Sequence, residues 1–147
     1  RTHNTKGGRS VITGAAVMCL ALNVYFEARN EDTLGQLAVA EVTLNRVESS
    51  AFPNEVCKVV KQGYERGRHR CQFSWYCDGK SDKPRNPKAW RKAIAVASYA
   101  LEQEQNTLLA SDVLYYHADY VKSGFHAGLN YERRIGSHIF YTAKDQS

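Results

Sequence analysis

The chain has 147 residues, 43% hydrophobic and 24% charged, including nine tyrosines, a size and balance that fit one folded domain and exclude a fibrous, low-complexity or largely disordered protein. Its formal charge of +5 favours anionic partners such as nucleic acid, anionic lipid or a cell-wall polymer. No stretch reaches the roughly 20 apolar residues of a membrane span: Val11 to Leu22 is broken by Thr13 and Gly14 and continues into Asn23 and Glu27 without the cleavage site of a signal peptide.

Arg1 to Gly8 is polar, so residues 1–13 are expected to form a flexible leader and residues 14–147 a single domain. The first helix is predicted over Gly14 to Ala28, a nearly all-apolar run that ends on Glu27. At helical spacing Glu27 stacks on Leu20 and Val24, a stripe that faces a core. Burial and the negative end of the helix dipole both raise the pKa of such a carboxyl, which suits it to act as a general acid near neutral pH. The residues alone leave open a solvated helix-end carboxylate, or one paired with Arg29 or Arg46.

Asn30 tolerates the left-handed conformation that stops a helix. Thr33-Leu-Gly-Gln36 then has the form of a capping box, and Leu37, Val39, Val42, Leu44 and Val47 supply the apolar face of a second helix. So tight a corner is expected to bring Gln36 and Glu41 near Glu27, while Asn45 and Arg46 tie the helix to neighbouring loops. A short third helix is expected over Asn54 to Gln62. The basic loop that follows, with Lys58, Lys61, Arg66, Arg68 and Arg70 beside Tyr64 and His69, reads as a solvated surface rather than a nucleic-acid groove.

Gln72 to Tyr76 is expected to be a short extended segment lining a cleft, followed by a turn-rich connection to Arg85. Asn86-Pro87 caps and opens the clearest helix, with Trp90, Ile94, Ala97 and Leu101 on one face, running to about Gln105. Val113 to Tyr116 and His138 to Thr142 are aromatic and β-branched and read as two paired strands, with a loop at Gly124 to Gly128 between them. The fold class is therefore α+β, mostly helical with a small antiparallel sheet near the C-terminus. Cys19 reads as a plain core residue, and one disulfide is expected among Cys57, Cys71 and Cys77. The spacing of Cys71 and Cys77 lacks the form of a zinc knuckle.

Taken together, Tyr25-Phe-Glu-Ala-Arg-Asn-Glu31, Gly35-Gln-Leu-Ala-Val-Ala40, Leu44-Asn-Arg-Val47, Phe52-Pro-Asn54, Cys71-Gln-Phe-Ser-Trp75 and Cys77-Asp-Gly79 resemble the SleB-type cell-wall hydrolase family, the spore-cortex-lytic enzymes and their bacterial and phage relatives. Tyr115-Tyr-His117 and Ile135 to Tyr141 resemble the closing strands of that family. The chain departs from the pattern at Asn30, where the family usually has Gly, a conservative change at a helix stop.

The resemblance implies a lysozyme-like, lytic-transglycosylase-related fold that cleaves the bond between N-acetylmuramic acid and N-acetylglucosamine, with Glu27 as the catalytic acid. It implies a single-acid reaction forming 1,6-anhydro-muramic ends. Gln72, Ser74, Tyr116 and Tyr141 are then the candidates to orient the glycan, with Gln36 and Glu41 beside them. The expected partner is peptidoglycan, met in the periplasm or outside the cell, by a monomer without cofactor, metal, nucleic acid or membrane insertion. Three alternatives stand beside this reading. One is a hydrolytic muramidase in which Glu41 or Glu31 activates water, although Glu31 also suits the start of the second helix. Another is a zinc peptidase or amidase built on His117, Asp119, His126 and His138, and the last is a basic module that only grips the wall.

Overall fold

A computed structural model of the chain describes residues 12–121 and 128–144. Most of the expected leader, the larger part of the loop before Gly128, and His126 lie outside the described residues.

Helix α1 spans Gly14–Ala28 and begins where the Thr13 hydroxyl accepts a hydrogen bond from the Ala16 amide at 3.0 Å. Its apolar residues face several directions because it packs against three other helices. Helix α2, Thr33–Glu48, is the axis of the molecule: every residue from Gly35 to Val47 is buried. Its cap is Asp32, whose carboxylate accepts from the Gly35 amide at 3.0 Å. The capping box expected at Thr33 is not formed: the cap sits one residue earlier, on Asp32 alone, because Gly35 at the third helical position has no side chain to reach back.

A helix buried all round can carry polar side chains only if they are hydrogen-bonded. Asn45 accordingly donates to the carbonyls of Ala110 and Val113, and Arg46 to that of Leu114 at 2.8 Å. Both tie α2 to the segment leading into the sheet. Helix α3 is only Val56–Val60, shorter than expected because Glu55 at its start makes no side-chain cap. Helix α4, Pro87–Glu102, starts on Asn86, which caps Ala89. It buries Ala93, Val96, Ala97, Ala100 and Leu101 against α1 and α2.

Strands β1 (Val113–Ala118), β2 (Leu129–Ile135) and β3 (His138–Ala143) form an antiparallel sheet in the order β1-β3-β2. The sheet packs on α2 through Ala38, Val42, Leu109, Val113 and Phe140. Strand β2 was not expected from the sequence. Its middle, Asn130 to Arg134, is exposed and charged, as befits an edge strand that must not pair with another chain.

Cys19 pairs with Cys57, and Cys71 with Cys77. The expectation of a plain core Cys19 and a spare thiol is corrected: α1 and α3 bring Cys19 and Cys57 to a Cα separation of 5.3 Å, within bridging range. Gln72 to Tyr76 is likewise not extended. It turns through a short 3-10 helix at Ser74–Cys77, closed off by the second bridge.

Candidate active site

Glu27 stands on the last turn of α1, at the floor of a cleft of about 620 Å³. One turn earlier, buried Asn23 donates to the Thr43 hydroxyl at 3.1 Å and accepts from the Trp75 indole N–H at 2.8 Å. These bonds lock α1 to α2 and to the 3-10 turn. Phe26 stacks on Trp75 with ring centroids 4.8 Å apart. The helix end that carries the acid is therefore held from two sides, and the turn brings Gln72 and Ser74 into the same cleft.

The opposite wall comes from the sheet. The β1–β3 register sets Tyr116 opposite Phe140, and the Tyr116 hydroxyl donates to Glu27 Oε1 at 2.5 Å. Burial holds the Glu27 carboxyl above the usual carboxylate range, against the opposing pull of the Tyr116 hydrogen bond and the Arg46 charge. Burial, reinforced by the nearby Glu27, raises the Tyr116 phenol well above its ordinary value, so it stays a proton donor. Arg46 lies behind them, its guanidinium over the rings of Phe52, Phe73 and Tyr115.

The cleft thus gathers Glu27, Gln72, Ser74 and Tyr116. It does not include the other three candidates. Gln36 is fully buried and donates weakly to the Glu31 carbonyl at 3.4 Å. Glu41, 1% exposed, accepts from the amides of Thr107, Leu108 and Leu109 and from the Thr107 hydroxyl. It fixes the loop before β1 rather than facing a substrate. Tyr141 is buried behind His117, its hydroxyl 2.7 Å from His117 Nε2.

Glu31 does not cap α2. It reaches across to the β2–β3 turn and accepts from the Ser137 amide at 3.1 Å and the Ser137 hydroxyl at 2.5 Å. Two side chains of the zinc-peptidase reading, His117 and Asp119, are engaged in other contacts. His117 Nδ1 lies 2.8 Å from the Ala118 carbonyl, and Asp119 pairs with Arg134. Among the described residues no three His, Cys, Asp or Glu side chains are grouped to hold a metal ion.

His138, weighed from the sequence only as a ligand of the zinc-peptidase reading, stands in the same cleft as Glu27. Buried at the end of β3, it meets the Tyr116 ring edge-on at 5.2 Å and lines the cavity. Burial lowers its pKa, partly offset by the charges of Glu31 and Asp119, which keeps the imidazole neutral at pH 7. Its Gly-Ser-His placement just after a tight turn was the available signal.

A family model described as Cell Wall Hydrolase matches residues 30–141. The chain belongs to the cell wall hydrolase family. Relatives include the spore cortex-lytic enzymes of Bacillus subtilis and Bacillus cereus, each 33% identical over 124 residues that make up 84% of this chain. The chain spans 36% and 43% of the lengths of those two proteins. Among solved structures, the catalytic domain of the germination-specific lytic transglycosylase SleB from Bacillus anthracis is 30% identical, with a TM-score of 0.70 over 89% of this chain and 97% of that one. The catalytic domain of the Bacillus cereus SleB protein is 29% identical, with a TM-score of 0.72 over 97% and 100%. The α+β fold of the chain is thus that of the SleB catalytic domains. The family match begins just past Glu27.

Proposed function

We propose that this domain cleaves the glycan strand of peptidoglycan between N-acetylmuramic acid and N-acetylglucosamine, as a lytic transglycosylase with Glu27 as its one acid. The observation that carries the reading is the hydrogen bond from Tyr116 to a carboxyl whose pKa is raised by burial at the floor of an open cleft. Protonated Glu27 donates its proton to the glycosidic oxygen as the C1–O bond breaks. The resulting carboxylate is steadied by the Tyr116 hydroxyl and the Arg46 charge. It then takes the proton of the muramic C6 hydroxyl, whose oxygen closes on C1 to give a 1,6-anhydro sugar. Gln72 and Ser74 face the glycan, and the cycle returns Glu27 to its protonated form.

A two-carboxylate hydrolase needs a second carboxylate able to activate water across the scissile bond. Glu41 and Glu31 are both engaged in holding loops, and Asp78, the other carboxylate lining the cleft with Glu27, accepts from the Lys80 amide at 2.9 Å, which favours the one-acid scheme. The two disulfides suit an oxidising space, and we place the site of action in the periplasm or outside the cell. We take the working form to be a monomer. Among the described residues no helix is long and apolar enough to cross a membrane.

Mass-spectrometric analysis of peptidoglycan digests by the wild type and Glu27→Gln tests the reading. Anhydro-muramic ends from the wild type alone are expected. Reducing-end muramic acid would establish hydrolysis instead, and intact glycan would reject glycan cleavage altogether.

A further inference from the structure

The basic loop noted in the sequence is exposed from Tyr64 to Arg70. It forms one side of a second depression of about 660 Å³, lined by Tyr64, Glu65, Arg68, Tyr76, Lys80 and Asp82. Its other side is the segment Trp75 to Asp82, which also walls the catalytic cleft. Along that segment Trp75, Asp78 and Ser81 face the cleft, Tyr76, Cys77, Gly79 and Asp82 face the second depression, and Lys80 borders both. A linear polymer leaving the cleft over Lys80 enters this groove next.

The groove is built rather than incidental. The Cys71–Cys77 bridge, the His69 amide bonded to the Cys77 carbonyl at 2.9 Å and the Gln72 amide bonded to the Gln62 carbonyl at 3.0 Å fix its rim. Arg68 donates to the Asp78 carbonyl at 3.4 Å and lies directly over Gly79, at a positive φ of 83°, where any Cβ would collide with the guanidinium. Tyr64 is 61% exposed and sits 5.3 Å from the Tyr76 ring, so an aromatic face is offered to solvent beside two cations and two carboxylates.

From this geometry we infer that the Tyr64–Tyr76 groove is a distal saccharide subsite that holds N-acetylated sugar units of the strand being cut in the cleft. Amphipathic aromatic faces bind the apolar face of a pyranose, while paired opposite charges take up hydroxyl and acetamido groups without demanding a net-charged ligand. The near balance of Arg68 and Lys80 against Glu65 and Asp82 favours a sugar over the anionic peptide stem. The inference rests on the proposed glycan cleavage and adds where the strand goes beyond the reacting bond.

The test is steady-state kinetics on peptide-free glycan strands fractionated by length, with wild type, Tyr64→Ala and Tyr64→Phe, each checked for folding by circular dichroism. The wild type should show KM falling as strands lengthen. Tyr64→Ala should raise KM about fivefold on long strands, with kcat unchanged and the shortest cleaved strands unaffected, and Tyr64→Phe should keep the length gain because it keeps the ring. Equal kinetics of Tyr64→Ala and wild type at every length would overturn the subsite, as would an equal loss at every length. In a parallel series on strands that keep their peptide stems, a loss seen there alone would reassign the groove to the peptide. A wild type that cuts long strands without length dependence rejects the subsite alone, whereas one that cuts no strand rejects the activity and the subsite with it.

Discussion

At the scale of single residues, the proposed chemistry depends on one carboxyl being kept protonated by a site that also holds its conjugate base. Tyr116→Phe removes the hydrogen bond that pulls the Glu27 pKa down. The alkaline limb of the pH profile of kcat should therefore move to higher pH. The rate at its plateau should fall about tenfold, because the newly formed carboxylate loses a charge-assisted hydrogen bond. A pH–rate series on the two proteins checks both.

Glu27 also sets a stability prediction. Its pKa is raised above the unfolded value of 4.5, so the folded state binds the proton more tightly and its stability is fully present below about pH 4.5 and declines as pH rises through the folded pKa. Glu27→Gln should therefore melt higher than wild type at pH 7, and the advantage should vanish in acid. Thermal melts at several pH values read this directly. Glu27 stood out in the sequence because a carboxylate on an apolar stripe violates the pattern around it, but that pattern left its role open and only the family resemblance implied a catalytic acid. Glu41 and Gln36 were not separable from it, because a helix buried on every side has no polar face against which to sort them.

At the scale of elements, the corner between α1 and α2 is clasped to the β2–β3 turn by Glu31 and Ser137. Gly136, at a φ of 59°, lies against the Glu31 carboxylate with no room for a Cβ. Gly136→Ala should thus destabilise the hairpin by about 1–3 kcal/mol and lower activity through His138 and Tyr116, with the loss visible in denaturant unfolding. Glu41→Ala strands the amides of residues 107–109 and should cost about 2–4 kcal/mol, measured by the same unfolding experiment. The helices were readable from caps and periodicity. The edge strand β2 was hidden because Asn130 to Arg134 shows no alternation, its place in the sheet being decided by pairing with β3 rather than by burial. The Cys19–Cys57 link was hidden for a related reason, as helix packing and not spacing brings those thiols together.

At the scale of the whole molecule, the two bridges close loops of very different length. Cys19–Cys57 spans 38 residues and Cys71–Cys77 spans 6. On loop-closure grounds the first should stabilise the domain by about 3–4 kcal/mol and the second by about 2. Removing the first bridge through Cys19→Ala with Cys57→Ala should lower the melting temperature more than removing the second, which should instead weaken binding to the wall by loosening the cleft rim. The net charge of +5 adds a longer-ranged attraction to an anionic polymer, which added salt will screen.

The acid and the hydroxyl that steadies it are separated by 89 positions in the chain. Tyr116 is held in place only when β1 has zipped onto β3, whose first residue is His138. A folding intermediate with all four helices formed would still lack the hydroxyl wall of its active centre. Any state in which β1 is not paired with β3 therefore lacks the hydroxyl partner of Glu27 and, on the proposed mechanism, cannot cut.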